Sequence, residues 1–395
     1  MPVRKSPIFV LFVTIFLDLL GFGIIIPILP IFIKELGAQD YQVGLIAAIY
    51  PVMNFMFSPF WGTLSDRFGR RPIILWSVVI TAIAYLVFAN ANALIVIFIS
   101  RMLSGIGSAN ISVAQAYIAD VTSPSERAKS MGLIGAAFGL GFIFGPSLGG
   151  YLKSISSEGS VDLVGYVTAG LCVINFILAY FLLPESIKEK KKELRFNFRV
   201  ITGIVRELRK PNIRELLLIN FIFTVAFMLM QISCSLMWKE VSLLSDAKIG
   251  YVFTFIGVVT AIVQGVLVGR LVKQFGENKL LVIGSVLMLI GMIGLPFVAV
   301  EYFIPLELIA LALVALANGC LTPNISSLLS KFASPSEVGQ TLGVNQSFGS
   351  LARAAGMSFS GILYSFNFHV PFLAGAGFMI ICGMLAFNLK KKNGG

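Results

Sequence analysis

The chain has 395 residues, 57% hydrophobic and 12% charged, with a formal net charge of +11. Soluble domains carry about 25% charged residues, so this composition excludes a water-facing globular fold and makes lipid the natural solvent. The placement of the charge excludes nucleic acid as a partner: about 24 of the 30 Lys and Arg fall at the termini or in every second loop between apolar runs.

A helix needs roughly 20 apolar residues to cross about 30 Å of hydrocarbon. Twelve such runs follow one another, at 7–29, 42–64, 72–90, 94–118, 130–152, 162–183, 214–237, 248–270, 279–299, 304–328, 338–363 and 369–389. They are continuous and about twice as long as the ~10-residue alternating segments of a membrane β-barrel. The predicted fold class is therefore all-α, with twelve transmembrane helices in two six-helix pseudo-symmetric bundles. Basic residues gather at Arg4 and Lys5, Arg67 to Arg71, Lys188 to Lys192, Arg206 to Lys210, Lys273, and Lys390 to Lys392. The positive-inside bias puts both termini in the cytoplasm, in a cytoplasmic (inner) membrane. The first run is long enough to span and is followed at once by another, which reads as a retained helix and not a cleavable signal.

The longest polar stretch, Pro184 to Pro211, separates six runs from six. It defines an N-terminal bundle (1–183), a linker (184–213) and a C-terminal bundle (214–395). Within the linker, 198–210 reads as an amphipathic helix on the membrane surface. The halves repeat. Ser123-Pro124-Ser125-Glu126 recurs as Ser334-Pro335-Ser336-Glu337, a shift of 211 residues, and Gly62 and Gly69 recur as Gly269 and Gly276, a shift of 207. Internal repeats in a helical membrane protein point to transporters, with the site near midplane at the repeat interface.

Ionisable residues inside hydrocarbon are costly, by about 2.5–3.5 kcal/mol each. Four stand out: Asp18, Arg101, Glu307 and Arg353. At 1.5 Å per helical residue, Asp18 lies roughly 16 Å and Arg101 roughly 18 Å from the cytoplasmic side. A carboxyl balanced between burial and a nearby Arg can load and release a proton as access alternates, so Asp18 and Arg101 are the candidate proton-coupling residues. Glu307 and Arg353, both placed in the outer half, are a candidate second charge pair. In the loop between the second and third runs, Asp66 with Arg67 and Arg70, between Gly62 and Gly69, supplies ion pairs able to hold a cytoplasmic gate in one of two states.

The fifth run carries Gly141, Gly145 and Gly149 at four-residue spacing, which lets helix backbones approach closely; Pro146 permits bending. Phe223, Phe227, Met230, Gln231 and Cys234 fall on one face of the seventh run, and mobile Met and aromatic surfaces suit promiscuous apolar ligands. Candidate substrate-cavity residues are Phe22, Asn54, Asn110, Gln115, Phe227, Gln231, Asn345 and Gln346. Cys172, Cys234, Cys320 and Cys382 lie inside apolar runs without paired spacing and read as packing residues. With His369 the only histidine, neither a metal site nor His-based catalysis is expected. The chain has no Walker-type Gly-Lys-Ser/Thr stretch and no Gly-x-Ser-x-Gly element, so it reads as neither ATP-driven nor an enzyme.

Four segments resemble those of a known family. Gly62-Thr63-Leu64-Ser65-Asp66-Arg67-Phe68-Gly69-Arg70-Arg71 resembles the signature loop of the major facilitator superfamily, and Arg101 with Gly105 and Gly107 resembles its second motif. Gly141-Phe142-Ile143-Phe144-Gly145-Pro146-Ser147-Leu148-Gly149-Gly150 is similar to the motif associated with antiporters. Leu17-Asp18-Leu19-Leu20-Gly21-Phe22-Gly23, ending Pro27-Ile28-Leu29-Pro30, is similar to the tetracycline and multidrug efflux branch. The resemblance implies proton-driven export of small amphipathic molecules, with no cofactor beyond the proton gradient. The chain departs from the tetracycline exporters in lacking their further intramembrane acids and His in spans three, eight and nine. The expected protein is a proton-coupled drug exporter acting as a monomer in the bilayer, with small-molecule substrate and protons as partners. Its rivals are a major-facilitator importer or uniporter for a nutrient, metabolite or lipid, and a membrane enzyme or scaffold.

Overall fold

The computed structural model describes residues 7–122, 124–157, 160–187, 199–297, 303–334 and 337–392. The basic clusters Arg4 with Lys5 and Lys188 to Lys192 lie outside the described residues. Every regular element among those described is helical. The first half holds α1 (Pro7–Ile25), α2 (Ile28–Glu35), α3 (Asp40–Phe68), α4 (Arg70–Ala89), α5 (Leu94–Gly107), α6 (Ile111–Val121), α7 (Pro124–Ile155) and α8 (Asp162–Leu182). Next come the short α9 (Arg199–Leu208), α10 (Pro211–Glu240), α11 (Asp246–Ile262), α12 (Val268–Phe275), α13 (Glu277–Gly294), α14 (Phe303–Phe332), α15 (Val338–Tyr364) and α16 (Val370–Lys392).

The expected all-α membrane fold is borne out. Eleven segments among the described residues are long and apolar enough to cross a bilayer. The twelfth expected span, α15, has the length at 27 residues, but Gln340, Asn345, Gln346, Ser350 and Arg353 dilute its apolar content. Some runs are not single helices. The first breaks before Pro27, whose ring removes a backbone donor, and restarts as α2. The fourth passes through a 3-10 turn at Ser108–Asn110, and the eighth through a π segment at Val263–Leu267.

The chain forms two compact units. The first comprises Met1–Ala38, Ile49–Phe198 and Ser245–Thr254; the second comprises Gln39–Ala48, Arg199–Leu244 and Phe255–Gly395. Each unit thus takes one helix start from the other half of the sequence: the beginning of α3 belongs to the second unit, and that of α11 to the first.

In the first unit α1 lies along α7 and α8, and α4 along α5 and α8. Lipid tails are as apolar as Leu, so helices associate here through close packing of small residues. A Cβ added at Gly145 would stand 2.6 Å from the carbonyl carbon of Gly23, and one at Gly23 would stand 2.5 Å from the carbonyl oxygen of Gly141. Nothing larger than glycine fits this seam. In the second unit α13 lies along α14 and α16, and α10 along α15 and α16.

The helix expected at 198–210 is present as α9, and it packs on α15 and α10. Glu207 on α9 is fully buried. It accepts from Lys210 at 3.0 Å and from the Thr341 hydroxyl at 3.1 Å. Arg206 and Lys210 each donate to Glu337, at 2.8 and 2.9 Å.

Candidate functional site

In the first unit, Asp18 on α1 is buried, and its two carboxyl oxygens accept from two amides. Asn110 Nδ2 donates to Oδ2 at 2.8 Å, and Asn175 Nδ2, on α8, donates to Oδ1 at 3.2 Å. Asn110 also donates to Ser77 Oγ on α4 at 2.8 Å, and Asn175 to the Thr14 carbonyl at 3.0 Å. Asn175 Oδ1 is buried without a partner. Four helical segments thus meet at one carboxyl through neutral groups.

The sequence placed Arg101 beside Asp18; the structure gives the two no ion pair. The Arg101 guanidinium lies over the rings of Phe88 and Tyr85, at 5.1 and 5.8 Å, and touches Ser100 Oγ at 3.3 Å. Depth along the bilayer fixes a residue's height but not the direction it faces. Arg101 follows Ser100, which bonds the Ala84 carbonyl of α4 at 2.8 Å, and turns to the rings of Tyr85 and Phe88, whereas Asn110, inside the 3-10 turn at Ser108, reaches Asp18 on α1 and Ser77 further back on α4. Tyr85 carries Arg101 on its ring, and its hydroxyl would stand 3.3 Å from a Cβ at Gly21, one turn beyond Asp18.

The motif glycines of α7 serve this site from behind. Gly141 lies against the Leu19 backbone, a Cβ at Gly145 would overlap Gly23, and one at Gly149 would overlap the Ile24 carbonyl. Gly150 faces Gly250, also in the first unit, where a Cβ would stand 3.0 Å from its Cα, and the Pro146 carbonyl oxygen lies against the same glycine.

At the far end of the unit, Arg70 organises the charged loop. It pairs with Asp66 at 2.6 Å and with Asp120 at 3.1 Å, and donates to Ser65 Oγ at 2.5 Å. Glu185 accepts from the backbone N–H of Arg70 at 2.9 Å and of Arg71 at 3.3 Å, which places a carboxylate at the positive end of α4. Gly69 before it takes φ +112°, a conformation that favours glycine. Arg67 stays outside this network, exposed, over the Phe68 ring at 5.3 Å. A Cβ added at Gly62 would meet nothing within 4 Å, so this glycine holds no close seam.

In the second unit Glu307 on α14 is 1% exposed, so it does not face lipid headgroups. Its Oε1 accepts from Trp238 Nε1 at 2.6 Å. The expected partner Arg353 instead donates to Ser350 Oγ at 2.9 Å, one turn away on its own helix, and no ion pair joins it to Glu307. The two also stand at different heights: Gly356, one turn beyond Arg353, packs on Val225 and Met228 of α10, whereas Glu307 bonds Trp238 much further along that helix.

Of the cavity candidates, Asn110 is drawn into the Asp18 site. Phe22 stacks on Tyr50 at 4.8 Å and meets Phe142 edge-on at 6.2 Å. Asn54 is buried and Gln115 half-buried. In the second unit Phe227 lies 6.2 Å from Phe223, Gln231 is buried, Asn345 accepts from Asn220 at 2.9 Å, and the Gln346 carbonyl accepts from Ser350 at 3.2 Å. Sequence reasoning missed Asn175, Ser77, Tyr85 and Trp238. Each reads in sequence as an ordinary residue of a hydrophobic helix, and a polar residue such as Asn175, 157 residues beyond Asp18, gives no spacing signal.

The family model of the Major Facilitator Superfamily matches residues 11–300 and 216–394. Multidrug resistance protein 2 of Bacillus subtilis (strain 168) is 28% identical over 96% of the chain and 94% of its own length. The class C tetracycline resistance protein of Escherichia coli is 28% identical over 96% of each. Among solved structures, the human organic anion transporter MFSD10 (TETRAN) has a TM-score of 0.73 at 23% identity, covering 98% of this chain and 100% of that one. A bacterial homologue of the human lysosomal transporter Spinster has a TM-score of 0.81 at 15% identity, covering 99% and 97%.

Proposed function

Because the chain belongs to the major facilitator superfamily, we propose that it is a secondary active transporter that exports small amphipathic compounds in exchange for protons, by alternating access. One observation carries the reading: Asp18 is sealed inside the first unit with amides alone as partners. An unpaired charge in such a place is costly, while Asn donors tolerate a neutral or an ionised carboxyl. The free Asn175 Oδ1 offers an acceptor to a protonated Asp18 after rotation of the amide. Tyr85, between Gly21 and Arg101, transmits the change to the buried guanidinium. The likeness to a multidrug resistance protein and a tetracycline resistance protein supports efflux of drug-like compounds. On this reading Asp66, Arg70 and Asp120 gate the cytoplasmic side, the protein works as a monomer in a cytoplasmic membrane with both termini inside, and the proton gradient is its only energy source.

The test is uphill transport of a fluorescent amphipathic cation in proteoliposomes under an imposed pH difference. Wild type accumulates the dye, and Asp18→Asn does not. Gradient-driven accumulation by Asp18→Asn overturns the proposal. A second reading, a carrier for organic anions, is supported by the likeness to the MFSD10 structure and by the buried Arg101. It predicts anion flux indifferent to the pH difference and to Asp18.

A further inference from the structure

We propose that Glu307 is a second proton-binding site, housed in the second unit and independent of Asp18. An ionised carboxylate offers about four lone-pair sites to donors. Glu307 is 1% exposed, and Trp238 Nε1 satisfies Oε1 alone; Oε2 is buried with no partner. A proton on Oε2 removes both the buried charge and the unmet acceptors, and leaves the bond from Trp238 intact.

No described cation takes that role instead. The helices packed on α14 are α10, α13 and α15, with the π segment Val263–Leu267 and the 3-10 turn Leu295–Phe297. Neither short segment carries an ionisable residue. α13 brings only Glu277 and Lys279, in its first turn, at the end where Glu277 pairs with Lys331. On α15, Arg353 bonds Ser350, and Tyr364 bonds Glu240 of α10 at 3.1 Å. On α10, Arg214 and Glu215 lie in the first turns, Lys239 and Glu240 lie in the last turn, and Cys234 lies one turn before Trp238. No ion pair joins any of them to Glu307 among the described residues. The site is therefore built to take a proton and not a metal ion or a salt-bridge partner.

Trp238 reports on it directly. The chain has three Trp; Trp61 bonds the Ile106 carbonyl at 2.7 Å and Trp76 is exposed. Replacing both with Phe leaves Trp238 as the sole indole, hydrogen-bonded to the carboxyl in question. In nanodiscs, its emission is expected to titrate with pH. Glu307→Gln, which keeps an acceptor for Trp238, is expected to abolish that titration, and Asp18→Asn to leave it in place. A pH-independent signal, or a titration that survives Glu307→Gln, overturns the proposal; loss in Asp18→Asn overturns the independence. If the double Phe variant does not fold, infrared difference spectra of the otherwise native chain give the same answer. A protonated-carboxyl band lost in Glu307→Gln supports the site, and an unchanged spectrum refutes it. Uphill transport by Asp18→Asn would sink the reading of Asp18 and leave this result standing.

Discussion

Lys331 Nζ donates to Glu277 Oε2 at 2.6 Å, and one repeat earlier the same two places hold Asp120 and Arg70, 3.1 Å apart, with the charges exchanged. Glu277 follows Gly276 as Arg70 follows Gly69, and both glycines have positive φ, +77° and +112°. Lys331 stands three residues before the repeated Ser-Pro-Ser-Glu, as Asp120 does. In each unit the pair ties the start of one helix (α4 or α13) to the end of another (α6 or α14). Sign complementarity is kept while sign itself is not.

Exchange of charge within one pair should therefore be tolerated. Lys331 is 62% exposed on its side chain, so Lys331→Ala is expected to cost only about 0.2–1 kcal/mol. Glu277→Arg should cost more, by placing two cations together, and adding Lys331→Asp should restore most of the loss. Arg70→Ala, which strips two carboxylates of a cation only 10% exposed, should cost about 1.5–3 kcal/mol. Thermal unfolding in detergent checks the order.

The motif glycines should divide into two kinds. Gly145→Ala drives a methyl into Gly23 and is expected to destabilise by about 1–3 kcal/mol and to slow transport. Gly139 on the same helix has nothing within 4 Å, and Gly139→Ala should be neutral or slightly stabilising, since alanine suits a helix better by about 1 kcal/mol. Melting temperatures of the two variants, with initial transport rates, separate packing from spacing.

Arg101 should resist replacement by lysine. Lysine keeps the charge but loses the flat face that lies over Tyr85 and Phe88, and its ammonium is more strongly hydrated. A desolvated cation–π contact is worth about 2 kcal/mol, so Arg101→Lys is expected to lower the initial transport rate by about tenfold. An unchanged rate would show that charge alone suffices there.

The attachment of α9 to α15 should depend on pH. Lys210, then Ser334, hold Glu337 below its ordinary 4.5, and Glu337 raises Lys210 above its ordinary 10.5. A depressed carboxyl contributes stability that is present above its ordinary value and lost as pH falls through the lowered one. A raised amine contributes stability that is present below its ordinary value and lost as pH rises through the raised one. The attachment should hold between these limits and loosen on the acid side first. A spin label at Val205→Cys, exposed on α9, would read this as increased mobility below about pH 4; the native cysteines are buried and give little background labelling. Glu337→Gln should loosen α9 at neutral pH.

Apolar run length made most of the fold legible, because a backbone in hydrocarbon has no choice but to bond to itself. The helices, the short helix at 199–208 and the glycine seam of α7 all follow from local pattern. The four ionisable residues inside the spans were equally visible, because each breaks an apolar run. Their partners were not. Asp18 bonds Asn110 and Asn175 where Arg101 was expected, and Glu307 bonds Trp238 where Arg353 was expected.

The sequence by itself determined which residues lie in apolar helices and how far each stands from the end of its own helix. A run of helix converts residue number into depth at 1.5 Å per step. Only the tertiary structure decided which way each residue faces and what stands opposite. That depends on the rotation of each helix about its axis and on breaks such as the turn at Ser108–Asn110, which are set by packing against neighbours far along the chain.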